Sequence, residues 1–426
     1  MRRMLLCLLC VLIGCVVWAQ ETPPNQTVGV TIRPGDNPMQ MDGVKALLAT
    51  DAASRLAPLP ATLSDEEYRS ALLTGQFEKY AGSWPFRAPS GDPAKITKTD
   101  YLELIKRYPG IQTYIDQYGK TPVKANDTAY EAVPIFMAMY KATGDRQYLY
   151  LTQRAVEAMS LSIEAEVAKN PEKPASYAQY WVYDYAYVYL PLLEIAGTPE
   201  YTAMMTRFAQ ALAKRADAWP QQKNPWAAGA HLYSSVWYEL ALKYGPPMTH
   251  ATDIRAYNEI LWHSWWDYRE ITEDDPNYTL GDMIVLHAWC LSRGVKWWQD
   301  PDASLIWKDY GEQIGNDGTW PAYGDGGNLG RFTSGVYIGE LLARYTGDGR
   351  YKWLAHRAFW NVKDRIKQLC SSIGYEKVMY LALAYLAADD RVAEVPPTAG
   401  VTVTQRHWRE FVPSAERRST AVVLTM

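Results

Sequence analysis

The residues of this chain best placed to do chemistry lie in the stretch 317–337, DGTWPAYGDGGNLGRFTSGVY. Six glycines surround a helix start that carries Arg331 and, six residues further on, Tyr337. Glycines let a backbone approach a ligand closely and take φ > 0, so the loop reads as a cleft wall; a surface turn capped by Asp325 is the alternative. An arginine on a buried helix must meet an anion, or its burial costs on the order of several kcal/mol. A phenol held near such a cation has its phenolate favoured, which suits it to move a proton close to neutral pH. The aromatic composition points the same way, because Tyr (31) and Trp (17) far outnumber Phe (7). Rings with a polar edge suit the half-wet faces of a sugar-binding cleft, and they equally suit the filling of helix interfaces.

Positioning these residues requires a repeated element. Residues 138–149 (AMYKATGDRQYL) and 343–354 (ARYTGDGRYKWL) share an aromatic, Thr-Gly-Asp, then Arg, Tyr and an apolar step, and LLEIAGTPEYTAM at 192–204 is a degenerate third copy. Looser matches occur at 240–253 and 290–302. Each reads as a break between two helices, with Gly closing the first and Asp, Thr or Pro opening the second. The helices entering the breaks begin near Asp127, Ser176, Ala230, Thr279, Phe332 and Tyr375, at intervals of 49, 54, 49, 53 and 43 residues. That is the length of a helical hairpin with its loops, six times over. Entering helices such as YAQYWVYDYAYVYLPLLEIA are apolar or aromatic nearly all round, whereas DRQYLYLTQRAVEAMSLSIEAE has a polar stripe. A helix without a polar face is buried on all sides, so the first set predicts an inner ring and the second an outer one. The expected fold is all-α, an (α/α)6-type toroid over 99–390. The stretch 99–118 leaves room for a seventh, incomplete hairpin, and a straight solenoid is the alternative. Residues 20–98 read as a lead-in that packs on the toroid. The Pro pair and β-branched alternation beyond Asp390 mark 391–426 as a C-terminal tail with room for a few strands.

In such a ring the loops leading into the inner helices converge on one mouth. The substrate-binding candidates there are Asn126, Tyr177, Tyr180, Trp181, Trp226, Tyr233, Trp320, Tyr323 and Asp325, joined by the potential catalytic residues His231, Asn277, Tyr278, Arg331 and Tyr337. Asp127, Tyr130, Asp184, Asn224, Asp282 and Asn328 complete the set. His231 has a plain alternative as a helix-start donor. His287 reads as core, and His263 and His356 as structural residues of outer helices.

Composition sets the outer limits. Forty-three basic and 47 acidic residues give a formal charge of −4 with no basic run, which argues against nucleic acid as a partner. Arg2 and Arg3 precede an apolar run, Met4 to Trp18, that is too short to span a bilayer and has the build of a secretory signal cleaved after Ala19. An exported protein with no integral membrane span is expected. Leu12-Ile13-Gly14-Cys15 resembles a lipobox, but Val-Val-Trp follows Cys15, so lipid anchoring there is the weaker option. Only Cys290 and Cys370 lie beyond the signal, and neither a disulfide framework nor a zinc or calcium motif is present in the sequence; no metal or cofactor is expected.

Gly318-Thr319-Trp320-Pro321, followed by Arg331 and Tyr337 on the fifth inner helix, resembles the Gly-x-x-Pro, Arg, Tyr arrangement of the toroidal alginate lyases. Related toroidal lyases act on glucuronan and heparin-type chains. The resemblance implies β-elimination on an anionic, uronate-containing polysaccharide, with Tyr337 as proton donor to the leaving oxygen and Arg331 as carboxylate binder. It implies Asn277 as a second carboxylate contact. Where those lyases carry a His after Asn-Asn, this chain reads Pro276-Asn277-Tyr278, and His231 is the substitute on offer. The chemistry fits the residue types, since the C5 proton of a uronate is removable near neutral pH only when the carboxylate is neutralised by positioned donors. Trp181, Trp226, Trp320 and Tyr177 would stack on sugar rings.

Two other functions fit the same ring. An inverting glycoside hydrolase needs two carboxylates about 6.5–9.5 Å apart, and Asp127, Asp184, Asp282 and Asp325 all fall near the mouth. Against it, no tandem acidic pair opens an inner helix; Asp274-Asp275 lies in the preceding loop. A carbohydrate-binding protein that kept the ring without the chemistry is the other, and it is favoured if Arg331 and Tyr337 point into helix packing.

Overall fold

The computed structural model describes residues 96–171, 184–219, 232–266, 276–301, 303–304, 307–308, 330–364, 376–396, 402–412 and 415–425. The helices all fall in the larger of two compact units. They are α1 (Lys98–Lys106), α2 (Gly110–Gly119), α3 (Ala129–Thr143), α4 (Arg146–Lys169), α5 (Asp184–Leu192), α6 (Pro199–Ala218), α7 (Leu232–Tyr244), α8 (Ala251–Trp266), α9 (Pro276–Ser292), α10 (Gly330–Thr346), α11 (Gly349–Val362) and α12 (Glu376–Ala387). Two strands, β1 (Thr402–Val412) and β2 (Ala415–Thr425), pair as a two-stranded sheet assigned mainly to the smaller unit.

The two Thr-Gly-Asp copies fold into the same capping device. Gly144 closes α3 at φ +71°, and its N–H donates to Tyr140 O at 2.8 Å; Gly347 closes α10 at φ +71° with a 2.9 Å bond to Ala343 O. Only glycine takes that backbone conformation without a steric cost. The aspartate one residue on caps the next helix. Asp145 Oδ1 accepts from Gln147 N at 2.8 Å and Asp348 Oδ1 from Arg350 N at 3.0 Å. The threonine completes the turn: its hydroxyl donates back to the helix (Thr143 to Met139 O, 2.8 Å; Thr346 to Leu342 O, 2.6 Å) and accepts from the Asp N–H. In the degenerate copy Gly197 has φ +87°, Thr198 accepts from Tyr201 N at 3.1 Å, and Pro199 takes the first helical position, where no N–H is needed.

The entering helices are buried as their composition dictates. Eleven consecutive residues of α3, Ala129 to Met139, are buried, as are Met283 to Cys290 of α9 and Val378 to Ala384 of α12. The leaving helices α4 and α6 are amphipathic. Their inner faces bury Leu149, Val156, Met159, Met205, Phe208 and Leu212, and on their outer side Arg207 bridges Glu157 (2.6 Å) and Glu164 (3.1 Å). Each entering helix packs on another: α3 on α5, α5 on α7 and α9, α7 on α9, α10 on α12, and α12 back on α3. His287 of α9 meets Tyr345 of α10 with ring centres 5.2 Å apart. The leaving helices lie against them, α4 on α3, both α6 and α8 on α7, and α11 on α10, and α4 and α6 also pack on each other.

One helix departs from the pattern. α11 was expected to keep a polar outer stripe, yet Lys352, His356, Arg357 and Asn361 are buried with its apolar residues. The segment after α12 runs along it, with Val395 N donating to Gly349 O (3.1 Å) and Lys352 Nζ to Asp389 O (2.7 Å). Polar residues in a helix report solvent only when no later part of the chain covers them.

Candidate functional site

The helix starts that carry the catalytic candidates fall close to their expected places. Tyr233 lies in the first turn of α7, Asn277 and Tyr278 in that of α9, and Arg331 in that of α10, each described by its backbone alone. Tyr177, Tyr180, Trp181, Trp226, His231, Trp320, Tyr323 and Asp325 lie outside the described residues, with the glycine-rich loop itself.

Asn126 is occupied structurally. Its Oδ1 accepts from Thr128 N (3.1 Å) and Thr128 Oγ1 (3.0 Å), its Nδ2 donates to Tyr118 OH (2.9 Å), and its own N–H donates to Ala158 O (3.1 Å). The side chain therefore ties the entry of α3 to α2, and these bonds use both ends of the amide.

Tyr337 sits seven residues into α10, about 10 Å along its axis, and is 3% exposed within the hydrophobic core. Burial raises its pKa, Tyr345 adds to that, and Arg344 opposes it without prevailing. Desolvation outweighs the Arg344 charge, and the group is a protonated phenol at neutral pH; the side chain of Arg331, the cation expected beside it, lies outside the described part. Tyr337 borders a chamber of about 120 Å³ whose walls include Leu190, His287, Leu341, Arg344 and Leu383. His287 is core, 2% exposed, with Nδ1 accepting from Trp297 Nε1 at 2.9 Å. Burial pushes its pKa down to about 3, helped by Arg344, so the ring is neutral and its remaining Nε2 carries the proton. It can donate but cannot serve as a base.

The aromatic excess goes largely to helix interfaces in the described region. Trp237, Trp289, Trp297, Trp307, Tyr187, Tyr189 and Tyr238 are fully buried. Tyr187 of α5 shares a 2.8 Å hydroxyl hydrogen bond with Tyr380 of α12 and stacks on Tyr130 of α3 at 6.0 Å. These tyrosines carry their hydroxyls inward and bond them to each other, so a polar handle does not by itself mark a wet surface.

Sequence reasoning missed two buried ionic clusters. In the first, Arg215 of α6 is 1% exposed; it bonds Glu166 at 2.5 Å and Tyr185 OH at 2.7 Å, with its guanidinium 5.0–5.6 Å from the rings of Trp219, Trp237 and Tyr185. Burial raises the Glu166 pKa against the pull of Arg215. In the second, Glu340 of α10 is fully buried; its Oε1 accepts from Tyr101 OH at 2.7 Å and lies 3.6 Å from His356 Nε2. The other face of His356 pairs with Glu394, which Arg357 also approaches at 3.4 Å. Burial lowers the His356 pKa, but the two glutamates outweigh it and the imidazole ends above its ordinary value. The only hint in sequence is charged residues in otherwise apolar helices.

Among the described residues no group of three or more His, Cys, Asp or Glu side chains is placed to hold a metal ion, and no helix is long and apolar enough to cross a membrane. Cys290 is buried. The chain matches no known protein family, no curated protein and no solved structure.

Proposed function

We propose that α3, α5, α7, α9, α10 and α12 form the inner ring of an (α/α)6 toroid, and that the protein is an exported polysaccharide lyase acting on a uronate-containing chain. Support for the ring comes from the packing order, in which each entering helix meets another and α12 returns to α3. The residue proposed to carry elimination is Tyr337, a buried phenol that borders a chamber among these helices. A protonated phenol is a proton donor, the role that the leaving glycosidic oxygen requires. Arg331 and Asn277, both in first turns of inner helices, are the proposed carboxylate contacts. They would lower the cost of removing the C5 proton. Tyr278 and His231 are the candidates for the base.

One observation favours a second reading. Tyr337 is 3% exposed and packs within the core, which is what a ring retained for carbohydrate binding without catalysis would show.

The test is incubation of the purified protein with alginate, glucuronan, pectin and glycosaminoglycans, following the ultraviolet absorbance of the unsaturated uronate beside a reducing-sugar assay. Rising absorbance on one polymer is expected, and Tyr337→Phe should abolish it while leaving the circular dichroism spectrum unchanged. Reducing ends without absorbance mean hydrolysis. Silence on every polymer, with retention of one of them on a column, means the binding protein.

A further inference from the structure

The ends of α3, α5, α10 and α12 meet at a cavity of about 420 Å³ whose lining includes Lys98, Lys141, Glu194, Arg344 and Tyr385. It shares Glu194, Arg344 and Leu386 as walls with the chamber of about 120 Å³ that Tyr337 borders. Most of its charges are matched. Lys98 pairs with Asp390, and Arg391 with Asp389 at 2.6 Å. Two cations, however, share one carboxylate: Lys141 and Arg344 each stand 3.5 Å from Glu194, on its two different oxygens. At that distance neither makes a good hydrogen bond. Arg344 Nη1 also donates to Leu386 O at 2.9 Å, while its Nε and Nη2 have no hydrogen-bond partner among the described residues. Against Glu194 alone the pair carries one excess positive charge, although Asp389, paired with Arg391 in the same cavity, also feels Arg344; the excess charge and the unused planar donors of Arg344 are the chemistry that takes a carboxylate. Behind the pair Leu190, Leu341, Leu383 and Ala387 line the chamber together with the rings of His287, Tyr337 and Tyr345. Their chamber is somewhat smaller than the cavity of about 150 Å³ that accepts benzene in another protein, a size for a short aliphatic tail.

We propose that this cavity binds a small aliphatic monocarboxylate, its carboxylate on Arg344 and Lys141 and its tail in the chamber lined by Leu341 and Leu383. Its cationic contacts are not among the proposed lyase residues, but its tail would fill the chamber that Tyr337 borders; calorimetry reads this binding without turnover, so its failure is distinguishable from failure of the polysaccharide reading. Cations in the last turn of a helix are also favoured by the helix dipole alone, and the test separates that role from ligand binding.

Hexanoate, acetate and hexanol are titrated into the full chain by calorimetry. Hexanoate should bind, with acetate (no tail) and hexanol (no charge) each at least about tenfold weaker, a difference of about 1.4 kcal/mol. Arg344→Gln should weaken hexanoate by about tenfold or more and bring it close to hexanol. Because Arg344 also holds Leu386 O, two further variants accompany it. Lys141→Gln, at a half-exposed position, should weaken hexanoate severalfold. Ala387→Leu should block the tail and abolish the advantage of hexanoate over acetate. Absence of hexanoate binding up to about 10 mM, equal binding of hexanol, or an unchanged affinity in folded Arg344→Gln and Lys141→Gln would each overturn the proposal and leave Arg344 as a cap of α12.

Discussion

Removing the His356 imidazole should both destabilise the protein and change how its stability depends on pH. In the native structure this ring lies between Glu340, which is fully buried, and Glu394, with Tyr101 bonded to the first carboxylate and Arg357 near the second. His356→Gln leaves Glu340 as a buried carboxylate held by one phenol hydroxyl, and breaking one side of a buried pair costs about 3–5 kcal/mol. The pH dependence has a definite sign. The folded-state pKa of His356 is raised, so the native state holds this proton more tightly than the unfolded chain. The stability it contributes is full below the unfolded value of about 6.5 and is lost as pH rises through the folded value, at up to about 1.4 kcal/mol per pH unit. Urea unfolding followed by circular dichroism, at intervals from about pH 6 upward, should show that decline in the wild type and a flatter profile in the variant. Adding Glu340→Gln to His356→Gln removes the stranded charge and should recover a large part of the loss, a coupling that a double-mutant cycle reads directly. A loss under about 1 kcal/mol in the single variant, or the same pH slope with and without the imidazole, would show that the ring does not hold the two carboxylates.

Three more outcomes follow from local geometry. Gly347→Ala, at φ +71°, should cost about 1–2 kcal/mol, and Asp348→Ala, which removes the cap on Arg350 N, about 1 kcal/mol, both measured as shifts of the urea midpoint; neutrality of either would mean that the break is not held by its caps. Arg215→Met should cost about 3–5 kcal/mol because Glu166 keeps a largely buried carboxylate without its cation, and the loss should shrink at low pH as Glu166 protonates; a loss independent of pH would assign the effect to packing against Trp219 and Trp237 instead. For His287, whose pKa burial lowers to about 3, the unfolded chain takes up the proton first, so its stability contribution is present above about pH 6.5 and is lost as pH falls toward 3. Imidazole NMR shifts should stay at their neutral values at about pH 5, and titration near the ordinary value would count against the buried tautomer.

The breaks and the character of the helices they separate are legible in the residues alone. Thr-Gly-Asp at 143–145 and 346–348 contains its own glycine for the positive φ and its own caps, all within a few residues, so no distant contact is needed to form the turn. The continuous burial of α3, α9 and α12 was equally legible, because a helix without a polar face has no stable exposed orientation. The partners of charged residues inside such helices were not. Tyr101 meets Glu340 across 239 positions of sequence, and Glu394 reaches His356 only because the segment after α12 doubles back over α11. Tyr337 illustrates the same limit: its place on a buried helix follows from periodicity, but the upward shift of its pKa depends on how completely the other helices exclude water from it. Periodicity and capping are local properties of a chain. Burial, pairing of charge and the meeting of Lys141, Glu194 and Arg344 at the helix ends belong to the packed whole.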